Sequence, residues 1–94
     1  MPTKSGGSKQ SRKEPVHTIG PFYTGNSSID VAIWENTVGE DNDERQVYGV
    51  SIKRSYRAGD EWKSTKTLRG QDLPHVMLGL QQAYFWIQEQ TSRQ

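Results

Sequence analysis

Cysteine is missing from this 94-residue sequence. Neither a disulfide framework nor a thiolate metal site is therefore available, and the fold must be held by packing or by self-association. Long apolar runs are missing too. No stretch of about 18 apolar residues exists to span a bilayer, and the polar N-terminus lacks the apolar segment of a secretion signal. The expectation is a soluble, cytoplasmic protein with no membrane partner. Histidine occurs only as His17 and His75, and neither has a companion His, Asp or Glu at a ligand spacing. No serine sits in a nucleophile elbow, and no glycine-rich phosphate loop follows a strand. Carboxylates cluster only at Glu40, Asp41, Asp43 and Glu44 and at Asp60-Glu61, both in turn-like, solvated sequence. The acidic cluster lacks the central Gly and terminal Glu of a calcium loop. No enzyme, no cofactor and no metal are expected.

With 31% apolar residues, the chain has enough for one small domain whose core rests on a few large side chains, drawn from three Trp, four Tyr and two Phe. Residues 1–14 are rich in Gly, Ser, Lys and Gln, have no large apolar residue after Met1, and carry Lys4, Lys9, Arg12 and Lys13 against Glu14. They are expected to form a disordered basic tail ahead of a single domain over 15–94. The formal charge is only +1, so the position of the cations matters more than their sum.

Val16, Ile19, Phe22 and Tyr23, broken by Gly20-Pro21, allow a short or kinked strand at a sheet edge, followed by a turn at 25–28. Ile29, Val31 and Ile33 alternate with Asp30, Ala32 and Trp34, as a half-buried strand requires. The odd positions belong to the core, and Trp34 and Asn36 point with Asp30 to the other side. An acidic hairpin loop over 39–44 leads to the stretch from Val47 through Arg69, a long hairpin turning at Ala58-Gly59-Asp60. A three-residue loop there sets Tyr56 opposite Trp62 and Val50 opposite Leu68. Tyr48, Val50, Ile52, Tyr56, Trp62 and Leu68 then share the core face with Arg54 and Lys66, while Ser51, Lys53, Ser55, Arg57, Lys63, Thr65, Thr67 and Arg69 share the other. A one-residue slip exchanges the faces of the second strand.

Asp72, a plausible N-cap, and Pro74 in the first turn open a helix to about Glu89. Its apolar stripe, Leu73, Val76, Met77, Leu80, Ala83, Tyr84 and Ile87, is expected to cover the sheet. The fold class is α+β: a four-stranded antiparallel sheet followed by one C-terminal helix packed on one face. Leu78, Phe85 and Trp86 fall off the stripe and suggest a homodimer interface.

The uncovered sheet face is the candidate site. Trp34 and Asn36, with Lys53, Arg57, Lys63 and Arg69, combine a flat aromatic with spaced cations, as single-stranded DNA or RNA requires: bases stack and cations neutralise phosphates. The alternative is a protein-interaction module using Trp34 and the outward back of the helix. A plain solvated sheet face is the bland reading of the same residues.

The residues also carry a likeness. Val31-Ala-Ile-Trp-Glu-Asn36, Arg54-Ser-Tyr56 before Gly-Asp-Glu-Trp62-Lys63, and Asp72-Leu-Pro74 with Ala83-Tyr84 resemble a family of small, mostly uncharacterised bacterial proteins over about residues 15 to 88. Four strands and a helix more loosely resemble the single-stranded-DNA-binding transcriptional regulators of the positive cofactor 4 and whirly type. That resemblance implies a dimer with an open sheet face for single strands, on which Trp34, Lys53, Arg57, Lys63 and Arg69 would lie. The acidic 40–44 loop and the low net charge depart from it.

Overall fold

The computed structural model describes residues 9–10 and 14–92. Five antiparallel strands, β1 (Lys9–Gln10), β2 (His17–Thr24), β3 (Ser27–Val38), β4 (Arg45–Ala58) and β5 (Glu61–Thr65), precede one helix, α1 (Leu73–Ser92). Strand β3 is the spine: β4 lies along its whole length on one side, β2 and the short β1 share its other side, and β5 extends the sheet beyond β4. The four long strands and the helix packed on one face form the α+β architecture that the alternation and the helical stripe predict. Of the tail, Lys9–Gln10 pair with Thr37 and Asn36. Tail order at 1–8 and 11–13 lies outside the described residues. No helix among the described residues is long and apolar enough to cross a membrane.

The edge strand β2 is interrupted where its sequence requires. Proline cannot donate to a ladder, and the pairing with β3 shifts between Ile19 and Phe22, across Gly20-Pro21. Odd positions of β3 face the helix: Ile29, Val31 and Ile33 are fully buried. Val31 and Ile33 pack with Ile19 and Ala83, flanked by Val16, Phe22, Tyr48, Ile52, Trp86 and Ile87.

Two expectations are corrected. First, the β4–β5 turn has two residues, Gly59 and Asp60, because Ala58 pairs with Glu61. Gly59 supplies the positive φ (65°) that such a tight hairpin needs. The register therefore slips by one: Arg57 opposes Trp62 and Tyr56 opposes Lys63. Trp62 leaves the core face, Lys63 joins the helix side, and β5 ends at Thr65, so Thr67, Leu68 and Arg69 lie beyond the ladder.

Second, α1 is rolled relative to its expected stripe. Val76, Gly79 and Ala83 are buried, whereas Leu73, Met77, Leu80 and Tyr84 are exposed. The cause is Gly79. A Cβ there would come within 2.7 Å of Val31 Cγ2, so the bare backbone seats the helix directly on β3 and the bulkier residues stand off to its flank. Trp86 is correspondingly drawn inward, stacked on His17 at 5.0 Å and edge-on to Tyr48 at 5.6 Å. It belongs to the core margin and not to an outward dimer surface. Gly79→Ala is expected to destabilise by about 1–3 kcal/mol through overpacking, outweighing its gain in helix propensity, as denaturant unfolding would measure.

The connection into the helix is tied by charge. Asp72 is completely buried and accepts three hydrogen bonds from Arg69: from the backbone N–H at 2.8 Å, from Nε at 3.1 Å and from Nη2 at 2.9 Å. Arg54 approaches the same carboxylate at 3.7 Å, while its Nε donates to the Thr67 carbonyl and its Nη1 to Ser27 Oγ. Arg54 thus meets Asp72 on the helix side of the sheet. The hydrogen bonds from Arg69 hold the Asp72 carboxyl down to about 2.

Candidate nucleic-acid interface

Even positions of β3 and odd positions of β4 face away from the helix. Their cross-strand pairs give this open side its membership: Asp30 with Lys53, Ala32 with Ser51, Trp34 with Gly49, Asn36 with Val47. Arg45, paired with Val38, joins at one end, and Arg57, paired with Trp62, at the other. From β2, Tyr23 faces the same way and is 67% exposed.

Trp34 is half-buried, and among the described residues no helix covers it. The indole leans across to the next strand, where Nε1 donates to Ser51 Oγ at 2.9 Å. That bond fixes the ring without using its π faces. Trp62 is 54% exposed, with the Arg57 guanidinium 5.8 Å from its ring centroid, a cation–π pair across the strands. Eight residues of β4 separate the partners of the two tryptophans, about 26 Å at 3.3 Å per residue, and Lys53 lies midway between those partners.

A groove of about 480 Å³ runs beside Trp34, floored by Ala32 and bordered by Thr18, Pro21, Asp30, Ser51 and Lys53. A shallower depression of about 310 Å³ shares Ser51 and Lys53 and continues towards Ser64 and Lys66.

Of the sequence-predicted site residues, Trp34, Asn36, Lys53 and Arg57 are brought to this face. Lys63 is not, because the two-residue turn places it on the helix side with Tyr56. Arg69 is not either: it follows the ladder and spends its donors on Asp72. Sequence reasoning missed Arg45, Tyr23 and Trp62. The signal for Trp62 was the dipeptide Gly59-Asp60, a two-residue hairpin turn in its own right. Cations on the face are Arg45, Lys53 and Arg57, and Asp30 is the opposing carboxylate. Among the described residues no group of three or more His, Asp or Glu is placed to hold a metal. No family model, curated protein or solved structure matches the chain.

Proposed function

We propose that the open face of the sheet is a non-enzymatic binding surface for single-stranded DNA or RNA. The observation that carries this reading is Trp34, held by Ser51 at the rim of a groove on the side of the sheet away from the helix, with cations on either side along β4. Stacking on Trp34 and Trp62 would hold bases, while Arg45, Lys53 and Arg57 neutralise phosphates. The likeness to the positive cofactor 4 and whirly regulators supports the same reading and suggests a transcription-related role.

The test is titration of a labelled mixed-sequence oligonucleotide over a range of salt. Three phosphate contacts to a single strand predict a slope of log K against log salt near −2, from about −0.7 per contact. Absence of binding at low salt would reject the reading.

A second surface favours self-association. Between Asp72 and Glu89 no residue carries a formal charge, yet Leu73, Met77, Leu80 and Tyr84 line an exposed flank of α1, and Leu78 and Phe85 are exposed on its back. Val50, on the helix side of the sheet, is also uncovered. Such a helix faces water poorly, and burying it against its own copy would desolvate no charge. We propose a homodimer through α1, with Leu78 and Phe85 at its margin, which leaves the opposite face of the sheet free for nucleic acid. Sedimentation at micromolar concentration should show a dimer, and Met77→Glu combined with Leu80→Glu should yield a folded monomer. A monomeric wild type would reject the pairing.

A further inference from the structure

We infer that Asp30 makes the Trp34 groove selective for bases that present N–H donors on their outer edge, guanine above all, and against thymine or uracil. The inference rests on the single-strand reading and specifies its ligand.

Asp30 and Lys53 are directly paired across β3 and β4, where opposite charges ordinarily join. Here they do not. Among the described residues neither side chain makes a hydrogen bond or an ion pair, although both border the groove and Asp30 is half-buried. The Asp30 carboxylate oxygens are therefore left to accept from a ligand in the groove. Lys53 leaves a donor for an anion beside it.

The spacing suits a nucleotide. Trp34, Ala32 and Asp30 project from the same face of one strand, two residues apart, so Trp34 and Asp30 lie about 13 Å apart along β3. Between them stands only the Ala32 methyl. A flat ring resting over Ala32 against the indole would turn its outer edge to Asp30, with Lys53 beside it for the phosphate.

A carboxylate only accepts hydrogen bonds. Guanine offers two adjacent donors, N1–H and the N2 amino group, which match its two oxygens. Cytosine and adenine offer an amino group beside a ring acceptor. Thymine and uracil offer one imide N–H flanked by two carbonyl oxygens that repel the carboxylate. The predicted order places guanine first and the pyrimidine diones last.

The experiment compares a short oligothymidylate with the same strand carrying one central guanine, each titrated against wild type and Asp30→Asn. Wild type should prefer the guanine strand by about 10-fold or more, the discrimination expected of a good bidentate contact. Asp30→Asn, whose amide can donate to thymine carbonyls, should bring the ratio close to one. If wild type binds both strands equally, or the variant keeps the preference, the selectivity is overturned while the single-strand reading stands. If neither strand binds, that reading falls and the selectivity with it.

Discussion

Trp34→Ala is expected to weaken single-strand binding by about 5- to 150-fold, the equivalent of 1–3 kcal/mol for one stacked base. The side chain stands on the face opposite the helix, and its indole N–H is bonded to Ser51. Its removal takes nothing from the cluster of Ile19, Val31, Ile33 and Ala83, so the circular-dichroism melt should change little. The loss should also leave the salt slope intact, because Arg45, Lys53 and Arg57 remain. Trp34→Phe should recover part of the affinity through its ring, and Ser51→Ala should have a smaller effect, since it frees the indole without deleting it. Equal affinities for wild type and Trp34→Ala would remove stacking from the mechanism. A loss accompanied by a changed salt slope would point instead to rearranged phosphate contacts.

The consequence of Trp34 depends on features of very unequal legibility. Alternation along Ile29, Val31 and Ile33 assigns β3 and sends Trp34 to the other face, and that assignment survives any slip of the next hairpin, because it depends on β3 alone. The membership of β5 depends on a single turn residue. Counting Ala58 into the loop moves Trp62 and Lys63 to the wrong sides, and nothing in the alternation of Glu61 to Thr65 corrects it, since Trp62 is the only large apolar side chain in the strand. The pairing of Arg57 with Trp62 gives that residue a partner on the open face that its hydrophobicity alone does not suggest.

The helix shows a different failure of pattern. Its apolar residues cover so much of the circumference that periodicity cannot select which of them touch the sheet. Size selects instead: Gly79 and Ala83, the residues a hydrophobicity pattern weights least, allow the closest approach to β3, and this turns Leu73, Met77, Leu80 and Tyr84 outward. Arg69 was misplaced for a related reason. As a cation in an alternating stretch it reads as part of a basic face, but only two residues separate it from Asp72, and the short-range turn of Gly70–Asp72 claims its guanidinium.

Asp72→Ala is expected to destabilise the protein by about 2–4 kcal/mol, through loss of charge-assisted hydrogen bonds and the unpaired cations left behind. That is a large part of the stability of a domain this small, typically about 5–15 kcal/mol. The carboxylate joins three segments: the turn through Arg69, strand β4 through Arg54, and the start of α1, which Asp72 immediately precedes. Its contribution depends on pH with a definite sign. The folded-state carboxyl titrates at about 2, below its ordinary value of 3.8, so its stabilisation is complete above pH 4 and is lost as pH falls from about 4 through about 2. The informative quantity is the difference between wild type and Asp72→Asn. Chemical unfolding at successive pH values should show a gap between the two proteins that is widest near neutrality and closes towards pH 2. A gap independent of pH would mean that shape and not charge makes Asp72 structural, and that Arg54 and Arg69 stay in place without it.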